Sequence, residues 1–226
     1  AVGAALSPEQ ILKRDCTGAR ILLAEDNPIN QLVATDLLRL AGLSVEVADD
    51  GAEAVERVKA GDYALVLMDV QMPVMDGLVA TQTIRAIDGM KDLPILAMTA
   101  NSFDVDRAAC MAAGMSDFVG KPVDPQKLFA TLLKWLREAA GRRHRGRSSP
   151  AADAAATVEH LPSLDAVTGL NVAKGLMYVG GRMESYIRYL RDYVKLHGDD
   201  MAAFRKAAAA GDFVTAKRVV HTLKGV

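Results

Sequence analysis

Ala64-Leu65-Val66-Leu67-Met68-Asp69 is an unbroken apolar run closed by a carboxylate. Successive side chains of a strand point to opposite faces, so a half-exposed strand alternates apolar with polar. An unbroken run is instead buried on both faces, as in a parallel sheet with helices above and below it. Three further runs share this form: Ile21-Leu22-Leu23-Ala24 before Glu25-Asp26, Ile95-Leu96-Ala97-Met98 before Thr99, and Phe118-Val119-Gly120 before Lys121-Pro122. Val45-Glu46-Val47 alternates, which places it nearer an edge. Helical patterns cover 29–41, 52–60, 78–87, 104–113 and 125–138, so strands and helices alternate between Arg20 and Ala140. The expected fold is α/β, a doubly wound five-stranded parallel sheet with right-handed crossovers.

Ligands of such a sheet bind beyond the carboxyl ends of the strands, at the point where strand order reverses. Glu25, Asp26, Asp69, Thr99 and Lys121 all follow strand-like runs, and they are therefore expected to meet at one rim. Three crowded carboxylates repel one another, and a hard divalent cation with oxygen ligands relieves that repulsion. Mg2+ fits best, because it keeps several waters and takes one or two carboxylates together with phosphate oxygens. Asp69, immediately before the turn Val70-Gln71-Met72-Pro73, is placed to attack phosphorus in line and hold an acyl phosphate. The Thr99 hydroxyl and the Lys121 ammonium suit the equatorial phosphoryl oxygens, whose charge must be stabilised. A Thr ending a strand is commonly a cap and a Lys before Pro commonly a surface turn. Their joint placement at the ends of different strands is what carries the reading.

Leu23-Ala24-Glu25-Asp26-Asn27-Pro28-Ile29-Asn30, Leu67-Met68-Asp69-Val70-Gln71-Met72-Pro73-Val74-Met75-Asp76-Gly77, Met98-Thr99-Ala100 and Gly120-Lys121-Pro122 together resemble the receiver domain of two-component signalling, over residues 18–140. The resemblance implies a flavodoxin-like receiver fold and Asp69 as the phosphoacceptor. It implies a Mg2+ held by Glu25, Asp26, Asp69 and the backbone carbonyl of Gln71, with Thr99 and Lys121 on the phosphoryl group. Thr99 and Phe118 fall at the family's switch positions, and a cis peptide is implied before Pro122. The Asp-Asn-Pro-x-Asn form of the first motif is similar to receivers of hybrid sensor histidine kinases.

The chain has 226 residues, half of them apolar, enough for one or two cored domains. Its net charge of −1 conceals an asymmetry: residues 1–140 hold 13 Lys and Arg against 20 Asp and Glu, a net −7, and residues 141–226 hold 14 against 8, a net +6. Opposite charge favours mutual encounter of the halves or acidic partners for the basic half, and charged faces that are simply solvated fit the same counts equally well. Cys16 and Cys110 stand in no CxxC or Cys/His pattern, so neither a disulfide nor a zinc site is expected, and a reducing cytoplasmic compartment fits. No apolar run approaches the roughly 20 residues that span a bilayer, so no membrane contact by this chain is expected. The chain lacks an initiator Met and reads as a piece of a longer protein, whose anchor in an inner membrane would lie elsewhere.

Ser7-Pro8-Glu9-Gln10 opens a short helix in residues 1–17, read as a connector. Residues 141–160 carry Arg142, Arg143, Arg145 and Arg147, then Ser148-Ser149-Pro150 and an alanine-rich stretch. Without interleaved aromatics this reads as a solvated linker that makes no nucleic-acid contact. Residues 161–226 read as all-α. Met183, Tyr186, Ile187, Leu190 and Val194 recur at helical spacing, the chain breaks at His197-Gly198-Asp199-Asp200, and Asp212 caps a last helix. On that helix Phe213, Ala216, Val220 and Leu223 form one stripe, while Lys217, His221 and Lys224 form another.

His221-Thr222-Leu223-Lys224-Gly225 resembles the phosphohistidine signature of histidine phosphotransfer (HPt) domains. The resemblance implies a partial helical bundle with His221 as the phosphorylated residue, Lys224 and Gly225 supporting it, and a module truncated after Val226. His144, His160 and His197 lack that context.

The expected function is a phosphorelay: a kinase phosphohistidine phosphorylates Asp69, which passes the group to His221 for a downstream response regulator. The expected partners are the histidine kinase core of the same polypeptide, that regulator, and, over the helical stripes, either a second copy by helix exchange, the favoured form, or the acidic N-terminal half of the chain. No ATP-cradling loop is present, so the chain's own catalysis is expected to be Mg2+-dependent phosphotransfer. An aspartate-nucleophile phosphatase needs a second acid two residues after the nucleophile, where Gln71 stands. A receiver used only as a docking module, without phosphorylation, is the alternative reading.

Overall fold

The computed structural model describes residues 6–99, 104–143 and 171–224. Five strands, β1 (Arg20–Ala24), β2 (Ser44–Ala48), β3 (Leu65–Asp69), β4 (Ile95–Thr99) and β5 (Asp117–Gly120), form one parallel sheet in the order β2-β1-β3-β4-β5. The chain runs outward from β1 to β2, then crosses back to β3 on the other side of β1, which puts the reversal of strand order between β1 and β3. Every residue of β3 is buried, whereas alternating β2 lies at the edge and is mostly half-buried. The run at β5, expected to be buried on both faces, forms the other edge, and of its four residues only Val119 is buried, because no strand flanks its far side.

Helices α1 (Pro8–Asp15), α2 (Pro28–Leu40) and α6 (Pro125–Arg143) cover one face of the sheet. Helices α3 (Gly51–Ala60), α4 (Gly77–Arg85) and α5 (Asp104–Ala112) cover the other. The strand period of two divides the core between them: Ile21, Leu23, Leu65 and Leu67 pack on one face, Leu22, Ala24, Val66 and Met68 on the other. Short polar residues begin the helices. The Asn27 side chain accepts from Ile29 N at 2.9 Å with Pro28 in the first turn of α2, and Asp76 accepts from Val79 N at 2.8 Å at the start of α4.

Two expected boundaries shift. Helix α1, expected to be part of a connector, has its Leu12 fully buried in the core on its face of the sheet, and its Asp15 accepts from Arg137 of α6 at 3.2 Å. Helix α6 runs through Gly141 to Arg143, into the expected linker. The rest of that linker, 144–160, lies outside the described residues.

The C-terminal region is helical, with α7 (Val172–Tyr178), α8 (Met183–His197), α9 (Asp200–Ala209) and α10 (Phe213–Lys224). The break after His197 and the Asp212 cap, which accepts from Thr215 N at 3.0 Å, stand where the sequence pattern put them. Helices α9 and α10 pack together and bury Ala207 and Ala216. Much of the α8 stripe is covered by the α/β domain itself: Tyr186 and Tyr189 are buried with Leu32 and Val33 of α2, and Met183 and Leu190 pack alongside. A second copy is not needed to cover these residues. Val194, Phe213 and Val220 remain exposed. Among the described residues no helix is long and apolar enough to cross a membrane.

Candidate functional site

Glu25 stands just past β1 and is only 1% exposed, Asp69 closes β3 and is buried, and Asp26 faces solvent. One carboxylate oxygen from each of the three lies within 4.8 Å of the others. Lys121, past the end of β5, joins them. Its Nζ donates to Asp69 Oδ2 at 2.8 Å and lies 2.6 Å from Glu25 Oε2, close enough for an ion pair but off the angle of a hydrogen bond. The Lys121 backbone N–H donates to Thr99 O at 2.7 Å, which fixes the ends of β4 and β5 side by side. Thr99 is half-buried at the end of β4, and the peptide between Lys121 and Pro122 is cis.

Burial pushes the Glu25 carboxyl up to about 7. The Lys121 ammonium pulls it down, and the Asp69 charge adds to the rise. Burial opposes the charge on Lys121, but the carboxylates of Glu25 and Asp69 outweigh it and hold its ammonium above the usual range. The first turns of α2 steady Glu25: Asn30 Nδ2 donates to Glu25 Oε1 at 2.9 Å, and Gln31 Nε2 donates to the Glu25 carbonyl at 2.6 Å and to Asp49 at 2.8 Å. Asn30 lies in the motif quoted above but carried no assigned role, because only the direction of α2 turns it back toward Glu25.

The loop after Asp69 folds back tightly. Gln71 N donates to Asp69 Oδ1 at 3.2 Å and Gly77 N donates to Val70 O at 3.0 Å. Exposed Val74 adopts a φ of 64°, a conformation that a β-branched residue rarely takes. A side chain at Gly77 would lie 2.1 Å from the Asp69 carbonyl oxygen, so only glycine permits this approach.

Half-buried Phe118 packs beside the core face of α3 to α5, with the Arg107 guanidinium of α5 stacked 3.9 Å from its ring centroid. Sequence reasoning missed Arg107, which has no motif. His221 and Lys224 lie on α10, which packs on α9, and the positions of their side chains are not described. Gly225 lies outside the described residues. The structure thus brings Glu25, Asp26, Asp69, Thr99 and Lys121 to one rim and leaves His221 on a separate helical layer.

The donor set is all oxygen, crowded and negative, which suits a hard divalent cation such as Mg2+. Lys121 supplies counter-charge to the same carboxylates.

The sequence profile of the response regulator receiver domain matches residues 21–133. The chain belongs to this family. The sensor histidine kinase GacS of Pseudomonas protegens is 31% identical over 96% of this chain and 23% of its own length. The chain spans less than a quarter of the length of the curated relatives it matches first. Among solved structures, the receiver domain of a sensor histidine kinase from Pseudomonas aeruginosa, crystallised with a magnesium ion in its active-site cleft, is 41% identical with a TM-score of 0.51. That match covers 54% of this chain and 99% of that one. A Saccharomyces cerevisiae complex of a histidine phosphotransfer signaling protein with the receiver domain of its downstream response regulator matches with 30% identity and a TM-score of 0.52. It covers 55% of this chain and 92% of that one. The receiver of this chain is thus homologous to those of hybrid histidine kinases, with a flavodoxin-like fold and a helical region C-terminal to it.

Proposed function

We propose that this receiver accepts a phosphoryl group on Asp69 from a histidine kinase core of the same polypeptide and passes it to His221, from which a downstream response regulator takes it. The observation that carries the first step is the meeting of Glu25, Asp26 and Asp69 within 4.8 Å, with Lys121 Nζ 2.8 Å from Asp69 Oδ2. An Asp69 oxygen attacks phosphorus in line, the P–N bond to the donor imidazole breaks, and an acyl phosphate forms. Mg2+, when held by Glu25, Asp26, Asp69 and the Gln71 carbonyl, neutralises charge on the transferring group. Lys121 holds one phosphoryl oxygen and Thr99 another, while Phe118 leaves Arg107 and turns inward as the face of α5, β5 and α6 repacks. The three carboxylates and the lysine favour this over the docking-only reading.

Incubation with acetyl phosphate and Mg2+, read by intact mass, tests the first step. The wild-type chain gains one phosphoryl adduct and Asp69→Asn gains none; an undiminished adduct in the variant overturns the assignment.

For the second step the support is the His-Thr-Leu-Lys-Gly sequence on helix α10. We place the receiver at 8–143, with α1 and the whole of α6 in it, the linker at 144–160 and a partial HPt module at 161–226, acting in the cytoplasm. Label loaded on Asp69 should move to an acid-labile, base-stable site that His221→Gln removes. Association of two copies through the exposed faces of α8 and α10 completes the proposal.

A further inference from the structure

The outward side of α2 presents Leu32, Val33 and Asp36, and α8 lies across it. The two sides are complementary in shape and in charge. Val179, Tyr186 and Tyr189 are buried there beside Leu32 and Val33. Asp36 Oδ2 accepts from the Tyr189 hydroxyl at 2.6 Å and from the Arg188 guanidinium. Burial, then the Asp36 carboxylate, push the Tyr189 hydroxyl well above its ordinary range, so it is a permanent donor at neutral pH. Helix α7 backs this contact closely: a side chain at Gly175 would lie 2.3 Å from the Tyr186 ring. The acidic receiver and the basic C-terminal region attract each other over longer range.

We propose that the outward face of α2 is a docking site whose occupant is the α7–α8 helix pair of this same chain, held in cis and reversible. Reversibility follows from scale. Three buried residues hold the pair, against the two large clusters that hold the receiver, so this contact opens at much lower cost than the fold. Tethering keeps the local concentration of the pair on the order of millimolar, which favours the closed arrangement at rest. A second helical protein that uses this face must displace α8, and a second copy can supply α8 in trans once its own pairing is broken.

Charge reversal on the full chain tests this. Arg188→Glu and Asp36→Arg, made singly, each place like charges across the contact and should speed amide hydrogen exchange over residues 32–36 by about fivefold. Both reversals in one chain restore opposite charges, the slow exchange and the parent mass. Mixing the two single variants matches the reversed α2 of one with the reversed α8 of the other, and a 1:1 heterodimer absent from either alone should appear in sedimentation. Exchange over α2 unchanged in both single variants, or a mixture that sediments as its separate components, overturns the proposal. Phosphorylation of Asp69 by acetyl phosphate at the parent rate in every variant shows the receiver intact, so failure of the docking site is told apart from failure of the fold.

Discussion

A carboxylate as buried as Glu25 is stable only beside compensating charge, and Lys121 and a metal compete to supply it. Its carboxyl lies near 7 against an ordinary 4.5, so in metal-free protein the folded state holds the proton more tightly than the unfolded chain. The stability this contributes is complete below 4.5 and is lost as pH rises through about 7. A cation needs the deprotonated form, so Mg2+ should stabilise the receiver more at pH 8 than at pH 5. At a hundredfold excess over its dissociation constant the gain is about 2.7 kcal/mol. Urea unfolding with and without Mg2+ at the two pH values measures this, and in Glu25→Gln the pH dependence of the gain should shrink. Each acid was legible in the sequence because it ends an apolar run. Asn30, Gln31 and Arg107 were not, since their roles depend on which way a helix turns them.

At the scale of single elements, the start of α4 and the β5–α6 junction each rest on one residue. Gly77→Ala gains up to about 1 kcal/mol of helix propensity, but its methyl would sit 2.1 Å from the Asp69 carbonyl and force the backbone apart. The clash wins: we expect a net loss of about 2 kcal/mol and slower phosphorylation of the displaced Asp69. Denaturation curves and adduct formation read the two effects. Asp117 at the start of β5 accepts from Trp135 Nε1 and Lys134 Nζ of α6, both at 2.9 Å. Burial alone would raise its carboxyl, but the bonds from Lys134 and Trp135 outweigh that and hold it below its ordinary 3.8. Its contribution is therefore present above 3.8 and lost as pH falls below it. Asp117→Asn should cost about 1 kcal/mol at pH 7 and progressively less as pH falls below 3.8, followed by the fluorescence of Trp135, the single tryptophan. Helix limits were legible from the caps. The continuation of α6 to Arg143 was not, because a helix already packed on the sheet tolerates Gly141.

Across the whole molecule the distribution of burial is uneven. The sheet is cored on both faces, whereas α7 to α10 bury few residues and leave Phe213 76% exposed. Calorimetry should show two transitions, the C-terminal helices melting first, with Mg2+ raising only the upper one. Arg188→Glu should lower only the first transition. A single transition that Mg2+ moves as a whole would show that the two regions unfold together.

What the sequence determined by itself was the sheet and its rim: long unbroken apolar runs are the inner parallel strands β1, β3 and β4, and polar residues that follow such runs must emerge at the strand ends. It also determined the helical character of the C-terminal region through the 3.6-residue period of its stripes. Only the tertiary structure decided that Leu12 belongs to the receiver core, that Arg107 stacks on Phe118, and that α8 lies on α2 with Asp36 between Arg188 and Tyr189. Periodicity shows that a face is apolar and must be covered. Which surface covers it depends on shape and charge matched across a hundred and fifty residues of chain, and no local pattern encodes that pairing.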